Sequence, residues 1–258
     1  MARVQPKGKI AVVTGGSDGI GRATAVLLAR EGAKIAICAR GQEKLDQTAA
    51  EIRKAGGEVL AMFADMSKAA DIEKFFDVVI KQFGGIDILV NNAGTSLRGN
   101  FLEIDEQKWH DDIELKVFGA IRCTKRAIPE MKKRGGGRVI NISISSAKQP
   151  GPGSMPTSMS RAAGLVLTKS LSKEYAPDNI LVNAVCIGKI KSGQHDRRMV
   201  SNNISPEKYY NDNSKEIPMR RFGEAEEAAT AIMFFASSMG SYVTGSSLNL
   251  DGGTSGVL

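Results

Sequence analysis

The segment at residues 9–21, KIAVVTGGSDGIG, constrains the fold of this chain more than any other stretch. Its residues Ile10–Thr14 are apolar or β-branched and predict a short buried strand. Glycines follow the strand, and helical spacing then continues over residues 22–30. A strand that turns through glycines into a helix presents bare N–H groups at the positive end of that helix. Such a turn is suited to bind a pyrophosphate.

The spacing of these glycines is informative in itself. Gly15, Gly19 and Gly21 follow G-x-x-x-G-x-G and not the commoner G-x-G-x-x-G. A glycine-rich turn without a ligand is the alternative interpretation. The motifs further along the chain favour the phosphate site.

Composition excludes several classes of protein. The 258 residues are 42% hydrophobic and 24% charged, as in ordinary globular proteins. No apolar run reaches the roughly 18 residues that span a bilayer, and no signal-peptide core is found. Three cysteines without C-x-x-C spacing, Cys38, Cys123 and Cys186, indicate free thiols in a reducing compartment. We therefore expect a cytoplasmic protein that does not bind membranes, and we predict no metal site.

The net charge of +7 raises the question of nucleic-acid binding. Its densest basic run, residues 132–138, is interrupted by three glycines and has no interleaved aromatic residues. A solvated surface is the better interpretation, so we predict no nucleic-acid partner. A preference for anionic small ligands stays open.

Strand and helix patterns alternate along the chain. Further strands are predicted at residues 34–39, 58–63, 86–90, 138–144, 180–187 and 247–250, with amphipathic helices between them, including long ones at 105–134 and 156–176. This alternation predicts one α/β domain over residues 1–258, a Rossmann-type doubly wound parallel sheet with helices on both faces. Residues 189–216 are polar, rich in Ser and Asn and weakly periodic, and predict a mobile lid over the site.

Several motifs together resemble those of the short-chain dehydrogenase/reductase (SDR) family over essentially the whole chain. They are TGGSDGIG at 14–21, Asp65 after the third strand, NNAG at 91–94, NAV at 183–185, TG at 244–245 and DGG at 251–253. The resemblance implies a dinucleotide-binding oxidoreductase that interconverts alcohols and ketones. It also implies a contact of Asp65 with adenine and a wall of the adenosine pocket at residues 92–94. The full set of cofactor-binding residues so implied is Gly15, Ser17, Asp18, Gly19, Ile20, Gly21, Arg40, Asp65, Met66, Asn92, Ala93, Gly94, Arg161, Gly188 and Ile190.

The end of the second strand bears on the choice of cofactor. In dinucleotide folds an acidic residue there bonds the ribose 2′-hydroxyl and repels a 2′-phosphate. This chain has Ala39 at that position and Arg40 next to it, which favours NADP(H) over NAD(H). A solvated arginine is the alternative. Asp18 stands where many NADP-preferring relatives carry a second basic residue, and it argues against the preference.

The catalytic positions depart from the family. The resemblance implies catalysis by four residues, Asn, Ser, Tyr and Lys, of which Tyr gives a proton to the carbonyl oxygen. Alignment on these motifs puts Lys116, Ile144, Thr157 and Arg161 at the four positions. An aliphatic hydroxyl is far less acidic than a phenol, so Thr157 cannot replace the tyrosine. Other proton donors remain as candidates, namely Ser143, Ser145, Ser158, His195, Tyr209 and Tyr210.

Three functional hypotheses stay open from the sequence. The first is an NADP-dependent oxidoreductase with non-standard catalytic residues, in which Lys116 and Arg161 bind an anionic substrate or polarise a carbonyl. The second is a catalytically inactive subunit of a hetero-oligomeric dehydrogenase whose partner carries the tetrad. The third is a non-redox cofactor-binding protein. We expect an oligomer, either a homotetramer, a homodimer or a hetero-oligomer, because family members pair through the helices at 105–134 and 156–176. The small-molecule substrate has no signature in the sequence.

Overall fold

The computed structural model of the protein describes residues 6–257. Its strands are β1 Ile10–Thr14, β2 Lys34–Ala39, β3 Val59–Phe63, β4 Ile88–Asn91, β5 Gly137–Ile144, β6 Ile180–Ile187 and β7 Ser247–Leu250. They form one seven-stranded parallel sheet in the order β3-β2-β1-β4-β5-β6-β7. The predicted doubly wound α/β fold is confirmed.

Helices cover both faces of this sheet. The helices on one face are α1 Gly19–Arg30, α2 Gln42–Lys54 and α9 Ala225–Ala236. Those on the other face are α3 Ala69–Phe83, α5 Gly119–Lys133 and α6 Thr157–Glu174. Three shorter helices are α4 Glu106–Ile113, α7 Gly193–Ser201 and α8 Pro206–Ser214. No helix within residues 6–257 combines the length and apolar composition required to cross a lipid bilayer.

The alternation of side chains along β1 creates a separate core on each face. Val13 packs with residues of α1 and α9, whereas Val12 packs with Phe75 and Phe76 of α3. All these side chains are fully buried. Burial on both faces explains why the central strands appear in the sequence as continuous apolar runs.

The predicted helix at 105–134 is divided in the structure. A π-helical turn, Glu114–Phe118, joins α4 to α5. Gly119 follows the turn at a close approach, because a Cβ there would lie 2.6 Å from the Met66 carbonyl oxygen. Turns of this kind often occur at functional sites, and this one carries Lys116.

The segment at 189–216 is more regular than its weak periodicity indicated, since it contains α7 and α8. Pro206 lies at the start of α8, and the Ser205 side chain caps this helix by accepting the Lys208 N–H. Both helices are short and polar, so no apolar periodicity in the sequence predicts them. The mobility of the segment stays a prediction.

Candidate active site

A cleft of about 840 Å³ runs along the carboxyl edge of the sheet. It lies across the point where the strand order reverses, between β1 and β4. Open α/β sheets bind their ligands at such a point. Every residue predicted to bind the cofactor lines this cleft except Gly21, which packs behind the loop. Their contact with a cofactor stays a prediction.

The glycine loop after β1 is fixed by Asn92 and by the absence of a side chain at Gly21. The Asn92 side-chain amide donates hydrogen bonds to the carbonyl oxygens of Thr14 and Gly15, at 2.9 and 3.1 Å. A Cβ at Gly21 would collide with that Gly15 carbonyl oxygen. Gly15 itself has φ of +67°, a conformation that favours glycine. The loop can therefore lie directly against the start of α1.

Asp18 caps the start of α1, but it does not accept hydrogen bonds from all the free N–H groups of this helix. Its carboxylate accepts the Gly19 N–H at 2.8 Å and pairs with Lys44 at 2.7 Å. No described residue accepts a hydrogen bond from the Ile20 N–H. This free donor and the helix dipole fit an anionic group such as a pyrophosphate. Lys44, which no sequence motif indicates, offsets the acidic charge of Asp18.

The outer end of the cleft contains Arg40 and Asp65. Asp65 accepts hydrogen bonds from the N–H and the hydroxyl of Ser67, at 3.0 and 2.8 Å. Partial burial opposes ionisation of Asp65, but these bonds and the charges of Arg40 and Lys68 together lower its pKa. Arg40 lies 4.0 Å from this carboxylate, and 59% of its side chain is exposed. Its guanidinium is therefore open to a ligand.

Arg161 occupies the inner end of the cleft, and Gly94 makes room for it. One terminal nitrogen of Arg161 donates to the Ile142 carbonyl oxygen at 2.6 Å. A Cβ at Gly94 would collide with the guanidinium. Burial lowers the pKa of Arg161 to about 10, so the group is charged at neutral pH. Its Nε has no hydrogen-bond partner among the described residues.

A buried polar cluster holds the Lys116 and Thr157 positions, and we call it the Asp112 cluster. It consists of Asp112, Lys116, Thr157 and Ser160. Lys116 pairs with Asp112, one helical turn earlier, and donates to the Thr157 hydroxyl oxygen at 2.9 Å. Ser160 donates to the other Asp112 oxygen at 2.5 Å, and the Thr157 hydroxyl donates to the Leu97 carbonyl oxygen at 2.7 Å.

This cluster is closed off from the cleft. Burial and the nearby charge of Arg161 lower the pKa of Lys116 to about 8, although Asp112 opposes the shift. Neither Lys116 nor Thr157 is among the residues that line the cleft, whereas Ile144 and Arg161 are. The four aligned positions are therefore split between a sealed cluster and the cleft wall.

The serine candidates are engaged in hydrogen bonds of their own. Ser143 donates to the Arg161 carbonyl oxygen at 3.2 Å, and Ser158 donates to the Ser146 hydroxyl at 3.0 Å. Ser145 lines the cleft but donates to the Asp251 carboxylate at 2.7 Å. None of the three is placed as a free proton donor.

His195 and Tyr209 form a pair in the cleft wall. The His195 Nδ1 lies 2.9 Å from the Tyr209 hydroxyl oxygen, and both residues line the cleft. Burial and the Arg198 charge lower the pKa of His195 to about 4, so this candidate proton donor is neutral near pH 7. Tyr210 instead packs on Phe222, with ring centroids 5.0 Å apart, and does not line the cleft.

Comparison with known proteins decides the family. Residues 15–255 match the family model described as Enoyl-(Acyl carrier protein) reductase. Human dehydrogenase/reductase SDR family member 4 is 37% identical over 95% of this chain and 87% of its own length. The chain belongs to the short-chain dehydrogenase/reductase family. It is an oxidoreductase of the SDR type.

Two solved SDR structures superpose closely on this one. L-Sorbose reductase from Gluconobacter frateurii, complexed with NADPH and L-sorbose, has a TM-score of 0.93 at 33% identity, covering 99% of both chains. A short chain oxidoreductase from Pseudomonas aeruginosa PAO1, with NADPH bound, is described as containing an atypical catalytic center. It has a TM-score of 0.91 at 34% identity, covering 97% of this chain and 98% of its own.

Sequence reasoning missed several charged residues of this SDR site. Asp112 carried one usable signal, because it precedes Lys116 by four residues on a predicted helix. Arg98 and Arg198 also line the cleft, but they lie in segments without a motif. Only the fold brings these two arginines to the same cleft.

Proposed function

We propose that this SDR protein is an NADP(H)-dependent alcohol/ketone oxidoreductase that works without the usual Asn-Ser-Tyr-Lys tetrad. The observation that carries the proposal is the glycine loop, held by Asn92 and Gly21 at the free N–H groups of α1. The loop fits a dinucleotide pyrophosphate. The two superposing NADPH-bound relatives support the same class of cofactor.

The preference for NADP(H) rests on the charges at the outer end of the cleft. No carboxylate follows β2, where Ala39 precedes the exposed Arg40. Arg40 is held only loosely by Asp65, and Lys44 lies on the neighbouring wall. A 2′-phosphate placed between these two cations gains charge-assisted hydrogen bonds that a 2′-hydroxyl cannot make.

The bound cofactor would supply or accept the hydride, so the protein must position the substrate and move a proton. Arg161 provides a fixed positive charge at the inner end of the cleft, where it can polarise a carbonyl oxygen or hold a ribose hydroxyl. Its guanidinium is held by the Ile142 carbonyl oxygen and its charge is needed in place, so we assign proton transfer to another group.

Tyr209 is the group that we assign to proton transfer. It is the phenol of the cleft wall, and the neutral His195 ring beside its hydroxyl can exchange a proton with it. Thr157 is unsuited to this role because its hydroxyl is buried and donates to the Leu97 carbonyl. Tyr209 and His195 both belong to the segment 189–216, so closure of this lid would bring the donor to the substrate.

A specific observation also favours a second candidate function. The Asp112 cluster is buried, internally bonded and separate from the cleft, which suits a structural use of two former catalytic positions. A catalytically inactive subunit that binds NADP(H) beside an active SDR partner would have this arrangement.

Fluorescence titration of purified protein with NADPH, and separately with NADH, tests the cofactor assignment. We expect tighter binding of NADPH, and Arg40→Ser should weaken NADPH binding about tenfold or more while leaving NADH binding unchanged. Arg53→Ser, which removes an exposed cation at the other end of α2, is the matched control. If neither NADPH nor NADH binds, the proposed function is refuted.

Oxidation of NADPH in the presence of a panel of ketones tests the enzyme itself. Tyr209→Phe should lower the turnover number by about 10²- to 10⁴-fold. Tyr210→Phe is the control, because this neighbour contacts the same Phe222 ring outside the cleft. Tight NADPH binding without turnover of any ketone would favour the inactive-subunit function.

A further inference from the structure

Besides Arg40, four arginines line the cleft. Three of them come from separate parts of the chain, and the fourth, Arg197, is next to Arg198. Arg98 lies in the segment after β4, Arg161 in α6 and Arg198 in α7. Arg198 donates to the Ser96 hydroxyl at 2.9 Å, which ties α7 to the segment after β4. This contact brings the side chains of Arg98 and Arg198 to the same end of the cleft.

No carboxylate offsets these arginines in the cleft wall. Among the described residues, Asp18 and Asp65 are the carboxylates that line the cleft, and both lie at its other end. Asp18 is engaged by Lys44 and by the start of α1, and Asp65 by Ser67. The cleft therefore has a balanced end and an end of excess positive charge.

The acidic groups near the positive end have partners of their own. Asp112 pairs with Lys116 inside its cluster, and Glu216 pairs with Lys189 on the lid. The Asp251 carboxylate accepts the Ser145 hydroxyl and the backbone N–H groups at 253 and 255. Asp196 is exposed on α7 beside His195. Its charge raises the pKa of His195, but burial and the Arg198 charge lower that pKa by more.

The excess positive charge lowers the pKa values of neighbouring cationic groups. Partial desolvation of its guanidinium and then the Arg198 charge lower the pKa of Arg98, although the residue is exposed. That of Lys116 is lowered by burial, by Arg161 and by Arg98. A cleft lined by charge of one sign attracts ligands of the opposite sign.

The phosphates of a dinucleotide do not account for Arg198. The start of α7 touches the glycine loop, since a Cβ at Gly193 would collide with the Asp18 carboxylate. Arg198 follows Gly193 by five residues, which places it about 7.5 Å further along the helix axis. Its hydrogen bond to Ser96 holds it at the segment after β4, two residues beyond Gly94.

We propose that the substrate carries an anionic group, a carboxylate or a phosphate, that binds between Arg98 and Arg198 while its carbonyl carbon faces the inner end of the cleft at Arg161. The proposal rests on the oxidoreductase function above and names its class of substrate. Guanidinium groups suit this task because their planar fork binds carboxylate and phosphate with two parallel hydrogen bonds.

The experiment is calorimetric titration of the NADP⁺-loaded protein with two pairs of ketones. Levulinate and its methyl ester differ in a carboxylate, and dihydroxyacetone phosphate and dihydroxyacetone differ in a phosphate. Oxidised cofactor cannot reduce a ketone, so the heat reports binding without turnover. We expect the charged member of at least one pair to bind tenfold or more tightly than its neutral partner. The pair that shows the difference identifies carboxylate or phosphate as the group.

Variants connect the charge preference to the two arginines. Arg98→Met and Arg198→Met should each weaken binding of the charged ketone by about ten- to a hundredfold and leave binding of its neutral partner unchanged. Lys208→Met removes one exposed positive charge from α8 of the same lid and should change neither. Both arginines are exposed, so these variants are expected to fold.

Equal binding of both members of each pair, or equal losses in the Arg198→Met and Lys208→Met variants, would overturn the proposal. The NADPH titration described above separates it from the function on which it rests. If the protein binds NADP(H) but does not discriminate the charged ketones, only the substrate class fails. If it does not bind NADP(H), the oxidoreductase function fails whatever the ketones do.

Discussion

The Lys116 ammonium donates a hydrogen bond of 2.9 Å to the Thr157 hydroxyl oxygen, so two of the four positions that we predict to correspond to the SDR catalytic residues are bonded to each other. Both residues are buried, and Asp112 accepts from Lys116 on its other side. A bond of this kind serves packing and charge balance.

Lys116→Met is expected to destabilise the protein by about 3–5 kcal/mol, because it leaves the buried Asp112 carboxylate without its counter-charge. Urea unfolding followed by far-UV circular dichroism measures this loss. Lys173→Met, on the exposed face of α6, should change the free energy of unfolding by less than about 0.5 kcal/mol.

The double variant Asp112→Asn/Lys116→Met checks the cause. The amide that replaces the carboxylate would keep contacts with Thr157 and Ser160 and carry no charge, so the double variant should be more stable than the sum of the single losses. Additive losses would show that the two charges do not act as a pair.

Gly21→Ala is expected to destabilise the protein by about 1–3 kcal/mol and to weaken NADPH binding, because its Cβ would push the Gly15 carbonyl oxygen away from α1. Gly164→Ala in α6 is the matched control. No atom lies within 4 Å of the Cβ that it adds, so it should stabilise the helix by about 0.5–1 kcal/mol. Unfolding and NADPH titration measure both variants, and unaltered NADPH binding in Gly21→Ala would contradict the assigned role of the loop.

The sheet and the position of the glycine loop at the cleft were predictable from the sequence for a local reason. Buried parallel strands appear as continuous apolar runs, and the glycine loop lies within one short stretch of chain. The Asn92 contact with Gly15 joins distant segments, but both belong to motifs that mark the same sheet edge.

The end of the cleft that contains Arg98 and Arg198 was not predictable in the same way. Arg98 and Arg198 are one hundred residues apart in the sequence, and neither lies in a segment with a motif or with periodic apolar residues. The helix α7 that positions Arg198 is short and polar, so no sequence pattern indicates its path. The low pKa of His195 likewise depends on burial in the folded protein, where its ring packs on Tyr209 and Phe222, and a sequence pattern does not indicate this packing.

Stability should fall as the pH falls from about 6.5 to about 4, partly because of His195. Its pKa is lowered to about 4 in the folded protein, mainly by burial, so the unfolded chain binds more protons in this window. The contribution is therefore fully present above pH 6.5 and is lost as the pH drops through the window. In His195→Gln the decline between pH 7 and pH 5 should be shallower.

Urea midpoints at pH 7, 6 and 5 measure this decline. His110→Gln is the control, since it removes the other histidine of the chain at an exposed position of α4, and the wild-type decline should persist in it. The same decline in wild type and His195→Gln would show that other groups cause it.

Gly94→Ala and Arg161→Ala should be non-additive. A Cβ at Gly94 would displace the Arg161 guanidinium and break its 2.6 Å hydrogen bond to the Ile142 carbonyl oxygen, at a cost of about 1–3 kcal/mol. In the Arg161→Ala background this collision no longer exists, so adding Gly94→Ala there should cost less than about 0.5 kcal/mol. Urea unfolding of the four proteins gives the interaction energy. A full loss in both backgrounds would mean that Gly94 is required by the backbone after β4 and not by the arginine beside it.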